Sequence, residues 1–287
     1  MWFAIAMGCA GDDGAGTGTD GATDGPTTAP FAGRAVGEPS GDCPKFKTGG
    51  DQSMTVDGVD REIVAYWPKQ PDGPVGLMFA WHGLGDSADN FSDALDLETL
   101  ARQNNMLVVA PYSLNPLLVT WDYLSGGGND LLLVDDVRAC ADQAFDLDLN
   151  RVVSTGFSFG ALWTTFLTME RSDVFSGTLT FSGGTGPAVG MSYSTPATAI
   201  PVLVAWGGED DGYDAGMIQV NFEETSLDFA EGLEGDGHTV VRCDHGLGHS
   251  LPFDWDVAVT EFLFVQSFGT PSPVGPTALD TLPDWCQ

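Results

Sequence analysis

The 287-residue chain carries 41 acidic against 10 basic side chains, a formal net charge of -31, while 43% of its residues are hydrophobic. That length and hydrophobic share suit a globular protein with one large core. The charge repels phosphate backbones and anionic bilayers, which argues against nucleic-acid binding and polybasic membrane docking and is accounted for by solubility or adaptation to salt.

Along the chain, Met1 to Gly8 form a short apolar start that ends at Cys9. Small residues before a Cys resemble the lipobox of bacterial lipoproteins, in which that Cys is acylated; residues 1–9 are therefore read as a signal- or lipobox-like segment with a lipid anchor at Cys9. The segment lacks a basic n-region and has Ala6 where Leu is usual, so an incidental Cys in a disordered tail stays open as the alternative. Residues 10–41 are rich in Gly, Ala, Thr, Asp and Pro, too poor in large apolar groups to offset their ordering entropy, and are read as a disordered linker.

Residues 42–287 are assigned to one folded domain. Gln52 to Val56, the turn Asp57-Gly58, and Val59 to Trp67 predict a hairpin. Strands are expected at Val75 to Trp81, Met106 to Pro111, Arg151 to Gly156, Thr178 to Ser182, Pro201 to Trp206 and Thr239 to Cys243. Helices are expected over Ser87 to Asn104, from Asp135-Asp136 to Phe145, and over Ala161 to Glu170, Asn221 to Glu231 and Phe253 to Gln266. This alternation predicts an α/β fold with a mostly parallel central sheet, helices on both faces and an N-terminal β-hairpin. Cys43, Cys140, Cys243 and Cys286 make an even set, read as two disulfides of an exported protein. Three pairings are open, and Cys43 with Cys286 is the one that would tie the ends of the domain. No Cys pair has zinc spacing.

Gly156-Phe157-Ser158-Phe159-Gly160 follows an expected strand and precedes an expected helix. The turn between them is tight, so the positions two residues either side of Ser158 must lack bulk, and the Ser is left projecting. A Ser nucleophile needs a base, usually His held by a carboxylate. Of four histidines, His82 comes too early for the order nucleophile, acid, base, and His238 opens a strand and is expected at the surface. His249, in the loop after the last strand, is the expected base, with His245 in reserve. The acid is expected in Gly207-Gly208-Glu209-Asp210-Asp211-Gly212, with Asp210 preferred and Asp211 next. Oxyanion donors are expected from the backbone of Phe159 and of Leu84, in His82-Gly83-Leu84-Gly85.

These residues resemble an α/β-hydrolase, and more narrowly the secreted bacterial esterases of the polyhydroxybutyrate depolymerase-like and feruloyl esterase-like type. The resemblance spans about Cys43 to Phe268. It rests on Phe79 to Gly83, Trp121 upstream of Val134-Asp135-Asp136-Val137, Gly156 to Gly160, Asp173-Val174-Phe175, Gly207 to Asp210 and Gly248-His249-Ser250. It implies Ser158, Asp210 and His249 as nucleophile, acid and base, with Trp121 and His82 at the substrate pocket; core packing is the alternative for Trp121. Phe159, Trp206 and Leu84 depart from the usual residues, which leaves the substrate open. The expected activity is hydrolysis of a carboxylic ester, a polyester such as polyhydroxybutyrate or a feruloyl or acetyl ester of polysaccharide, by a secreted or envelope-anchored monomer without cofactor or metal. A peptidase or thioesterase on the same scaffold, or a non-catalytic surface lipoprotein, are the rival expectations.

Overall fold

The computed structural model describes residues 35–46, 49–114, 120–216 and 219–286. The expected anchor at Cys9 and most of the expected linker lie outside them. An eight-stranded sheet runs through the domain in the order β1-β2-β4-β3-β5-β6-β7-β10.

Its first edge is the predicted hairpin, β1 (Asp51–Val56) and β2 (Val59–Tyr66), paired antiparallel with Val56 opposite Val59. Asp57 and Gly58 both have positive φ, 48° and 76°, as the tight turn between twisted strands requires. β2 also lies antiparallel to β4 (Met106–Pro111). All further pairings are parallel, through β3 (Val75–Trp81), β5 (Leu147–Phe157), β6 (Gly177–Phe181), β7 (Val202–Trp206) and β10 (Val240–Asp244). Every residue of β3, β4, β6 and β7 is buried, because helices cover both faces.

The period of two along β3 sorts its side chains between two cores. Leu77, Phe79 and Trp81 pack with α3 (Gly128–Ala144), α4 (Phe159–Glu170) and α5 (Phe222–Gly235). Met78 and Ala80 pack with α1 (Ala88–Ala94), α2 (Leu97–Gln103) and α6 (Trp255–Ala258). Among the described residues no helix is long and apolar enough to cross a membrane, and no group of three or more His, Cys, Asp or Glu could hold a metal ion.

Four expectations need correction. The helix expected over Ser87 to Asn104 is two helices, because Asp96 turns left-handed (φ 44°) and caps α2 by accepting from the Thr99 amide. The helix expected to start at Asp135-Asp136 starts at Gly128. Both carboxylates sit within it as tertiary anchors: Asp135 pairs with Arg138 and Arg171, and Asp136 accepts from the Ser40 amide at 2.9 Å and hydroxyl at 2.5 Å. With the Thr55 amide donating to the Asp42 carbonyl, this contact places Ser40, ahead of the expected domain start at residue 42, against α3. The last expected helix is a single α turn, α6, continued as the π turn Val259–Leu263.

The fourth correction concerns the cysteines, which pair Cys43–Cys140 and Cys243–Cys286. Cys43 follows Asp42 beside β1 at one edge of the sheet, whereas Cys286 bridges to β10 at the other. A Cys43–Cys286 bond would have to span the whole sheet. A short hairpin not foreseen in the sequence, β8 (Gly212–Asp214) with β9 (Gln219–Asn221), lies between β7 and α5.

Candidate active site

The carboxyl ends of the parallel strands share one edge, and four loops leaving it converge. β5 ends in the turn to α4, where Ser158 has φ 56° and ψ -119°. For a non-Gly residue such a backbone costs about 1–3 kcal/mol. The surroundings hold it there: the Ser158 amide donates to the Phe181 carbonyl at 2.9 Å. The two glycines of the motif are required by contact. A Cβ on Gly156 would stand 2.4 Å from the Gly160 backbone, and one on Gly160 would stand 2.0 Å from the Trp81 carbonyl oxygen. Helix α4 is thereby pressed against the ends of β3 and β5, with Ser158 at its N-terminus.

His249 reaches Ser158 from the loop after β10. Its Nε2 lies 2.9 Å from Ser158 Oγ and its Nδ1 lies 2.7 Å from Asp211 Oδ1. The ring stacks on Phe222 (centroids 4.7 Å apart, 11° between planes) and meets Phe157 on another side at 4.9 Å. Those two phenyl rings fix the imidazole plane, and neither was singled out in the sequence. The loop itself crosses the acid loop at glycine: the Gly248 amide donates to the Gly207 carbonyl, and a Cβ on Gly207 would lie 1.9 Å from the Gly248 oxygen.

The carboxylate at His249 is Asp211, not the expected Asp210. Asp210 is exposed, whereas Asp211 is fully buried. Its Oδ2 accepts from the Ser182 hydroxyl and the Gly207 amide, both at 2.8 Å, leaving Oδ1 to the imidazole. The turn decides between the neighbours: the Asp211 amide donates to the Gly208 carbonyl, and the Phe222 amide donates to the Asp211 carbonyl. This closure brings Asp211 inward. Ser182, directly after β6, is a further residue missed in the sequence; its place at the carboxyl edge was the available signal.

The backbone of the loop after β3 runs beside the Ser. A Cβ on Gly83 would lie 3.4 Å from Ser158 Cβ. The Asp86 amide closes a turn onto the Gly83 carbonyl, with Leu84 and Gly85 (φ 75°) at its centre. Phe159, as the first residue of α4, has an N–H without an intrahelical acceptor. Its ring packs on Tyr123 at 5.2 Å, and burial pushes the Tyr123 phenol up to about 12, so that it stays protonated and donates to the Val189 carbonyl.

Trp121 and His82 do not form an open pocket wall, which corrects the expectation of substrate contact. They are 2% and 0% exposed. The Trp121 indole donates to the His82 carbonyl at 3.0 Å and its ring lies against the imidazole, so the pair braces the loop that carries Leu84. Burial holds the His82 imidazole below its ordinary pKa and hence neutral. His238 is buried on the Ile200 backbone, not exposed as expected. His245 takes the Leu247 amide on Nδ1 and stands edge-on to Trp285, away from Ser158.

No protein-family profile matches the chain. It is 24% identical over 165 residues to "Feruloyl esterase D" of Neurospora crassa, covering 52% of this chain and 55% of that protein. It is 29% identical over 143 residues to "Feruloyl esterase B" of Thermothelomyces thermophilus, covering 47% and 48%. "Bifunctional acetylxylan esterase/xylanase XynS20E" of Neocallimastix patriciarum is 26% identical over 156 residues, 54% of this chain and 22% of that protein. The chain thus spans about half the length of the feruloyl esterases it matches. Among solved structures, native sOPH aligns with a TM-score of 0.64 at 16% identity, covering 83% of this chain and 96% of that one. Native pOPH aligns at 0.61 and 18%, covering 82% and 95%. Sheet order, the strand-turn-helix at Ser158 and these alignments make the chain an α/β-hydrolase by fold, with feruloyl esterases among its relatives in sequence.

Proposed function

We propose that the protein is a serine hydrolase of carboxylic esters that works through an acyl-enzyme on Ser158. The observation that carries this reading is the unbroken contact chain from Ser158 Oγ through His249 to buried Asp211, at 2.9 and 2.7 Å. With Nδ1–H donated to Asp211, Nε2 is free to accept, the tautomer a general base needs.

In the first half-reaction His249 Nε2 takes the Ser158 proton while Oγ attacks the ester carbonyl. The tetrahedral oxyanion is held by the Phe159 and Leu84 amides. The C–O bond to the alcohol then breaks, and the leaving alkoxide takes the proton from His249. In the second half, water gives its proton to His249 and attacks the acyl carbon; collapse returns the proton to Ser158 and releases the carboxylic acid. Asp211 remains a carboxylate throughout and stabilises the imidazolium.

The names of the sequence relatives favour a feruloyl or acetyl ester of polysaccharide, with a polyester such as polyhydroxybutyrate as the other substrate class. Two disulfides support an exported protein. A lipid anchor at Cys9 and a monomeric state complete the proposal.

Turnover of p-nitrophenyl esters tests it. Ser158→Ala should lower kcat by about 10³-fold or more, and His249→Ala comparably, with His245→Ala near wild type. Full activity in Ser158→Ala would end the reading. A panel of methyl ferulate, acetylated xylan and polyhydroxybutyrate then separates the substrate classes.

A further inference from the structure

The C-terminal segment closes on the loop that carries His249, and one residue there meets both ends of that loop. Where the loop starts, the Asp244 amide donates to the Trp285 carbonyl at 2.9 Å. Where it ends, Asp254 Oδ1 accepts from Trp285 Nε1 at 3.0 Å. Between them, the His245 ring stands edge-on to the Trp285 indole, with centroids 5.9 Å apart and planes at 82°. The next residue, Cys286, is bonded to Cys243 at the end of β10 and bridges it antiparallel. β10 is the last strand of the sheet, so this segment also covers an edge that would otherwise be open.

Inside the loop, Gly246 and Gly248 take positive φ, 64° and 68°. The loop holds short-range bonds of its own, the Gly246 amide to Asp244 and the Ser250 amide to the Gly248 carbonyl. Its backbone is tied to the rest of the chain at the crossing with Gly207 and Trp206 on one flank and at Trp285 on the other. His249 lies between them.

We propose that Trp285 is a positioning residue for His249, clamped in place by the Cys243–Cys286 disulfide, so that the C-terminal segment sets the geometry of the base without touching the reacting atoms. The inference rests on His249 being the base. Loss of the clamp leaves the substrate surface intact and loosens the imidazole, so kcat falls while KM holds. A displacement of the order of 1 Å in a reacting group costs roughly 10²-fold in rate.

The test uses the full chain with p-nitrophenyl butyrate, and circular dichroism to confirm folding. Trp285→Ala should reduce kcat about ten- to hundred-fold at unchanged KM, with a matching fall in the rate of fluorophosphonate inactivation. Trp285→Phe keeps the ring on His245 and loses the bond to Asp254, so it should recover part of the lost kcat. The pair Cys243→Ser with Cys286→Ser should mimic Trp285→Ala. If Trp285→Ala does not fold, Trp285→Phe decides alone: a several-fold kcat loss at constant KM supports the proposal, and wild-type kcat overturns it. A rise in KM at constant kcat also overturns it. Failure of the underlying reading is separate, since it would show as an active His249→Ala.

Discussion

Asp210 and Asp211 are adjacent in sequence and opposite in environment, the first exposed and the second without solvent contact. Their substitutions should diverge accordingly. Asp211→Asn can no longer hold the base tautomer of His249 and should lose on the order of 10⁴-fold in kcat. Asp210→Asn, a surface change, should stay within about twofold; steady-state kinetics on the two variants compares them directly. The sequence placed the acid in the right loop but could not choose the residue. That choice depends on the turn closed by the Asp211 and Phe222 amides and on the Ser182 hydroxyl, contacts brought together from β6, β7 and α5. Ser158 was legible because its constraint is local: the contacts of Gly156 and Gly160 lie within the turn or on the adjacent strand. Phe222 and Phe157 were not legible, since nothing in an isolated Phe marks it as a wall for an imidazole.

At the scale of elements, β3 and β4 were read to the residue because full burial on both faces leaves long apolar runs, whereas the half-exposed start of β5 at Leu147 and the short β8–β9 hairpin carry no such run and were missed. Helix ends were harder. Asp135 and Asp136 have the look of a first turn, yet their partners Arg171 and Ser40 come from distant segments. The same holds for disulfides, whose pairing follows sheet order and not chain ends. Cys43–Cys140 closes a separation of 97 residues and fastens the segment around Cys43 onto α3. Opening it with Cys43→Ser and Cys140→Ser together should cost about 2–5 kcal/mol, read as a lower Tm or denaturant midpoint. Because this bond lies away from the carboxyl edge, kcat at 25 °C should be kept. The contrast with Cys243–Cys286, next to the His249 loop, is therefore one of kinetics against stability.

Across the whole molecule the charge of -31 is not evenly felt at the site. Loops at the carboxyl edge carry Asp86, Glu209, Asp210, Asp244 and Asp254. Arg61 at that edge is buried and spent on Asp130, and Arg242, near the end of β10, is paired with Glu234. Arg151 stands in the first half of β5 and Lys69 follows β2, both toward the opposite edge. An ester bearing a carboxylate should thus be turned over more slowly than a neutral analogue, and the gap in kcat/KM should narrow from 0.01 to 0.5 M salt as the Debye length falls from roughly 30 Å to below 8 Å. Equal rates for both esters at low salt would contradict this. Under the proposed reaction the same field would favour departure of the carboxylate product.

If Ser158 is the group acylated through His249 and Asp211, a fluorophosphonate should mark it, and mass spectrometry of the labelled and digested protein reads the site. A single adduct on the peptide carrying Ser158, absent in Ser158→Ala and strongly slowed in Asp211→Asn, is the predicted result. An adduct on another serine, or undiminished labelling of Ser158→Ala, would contradict it.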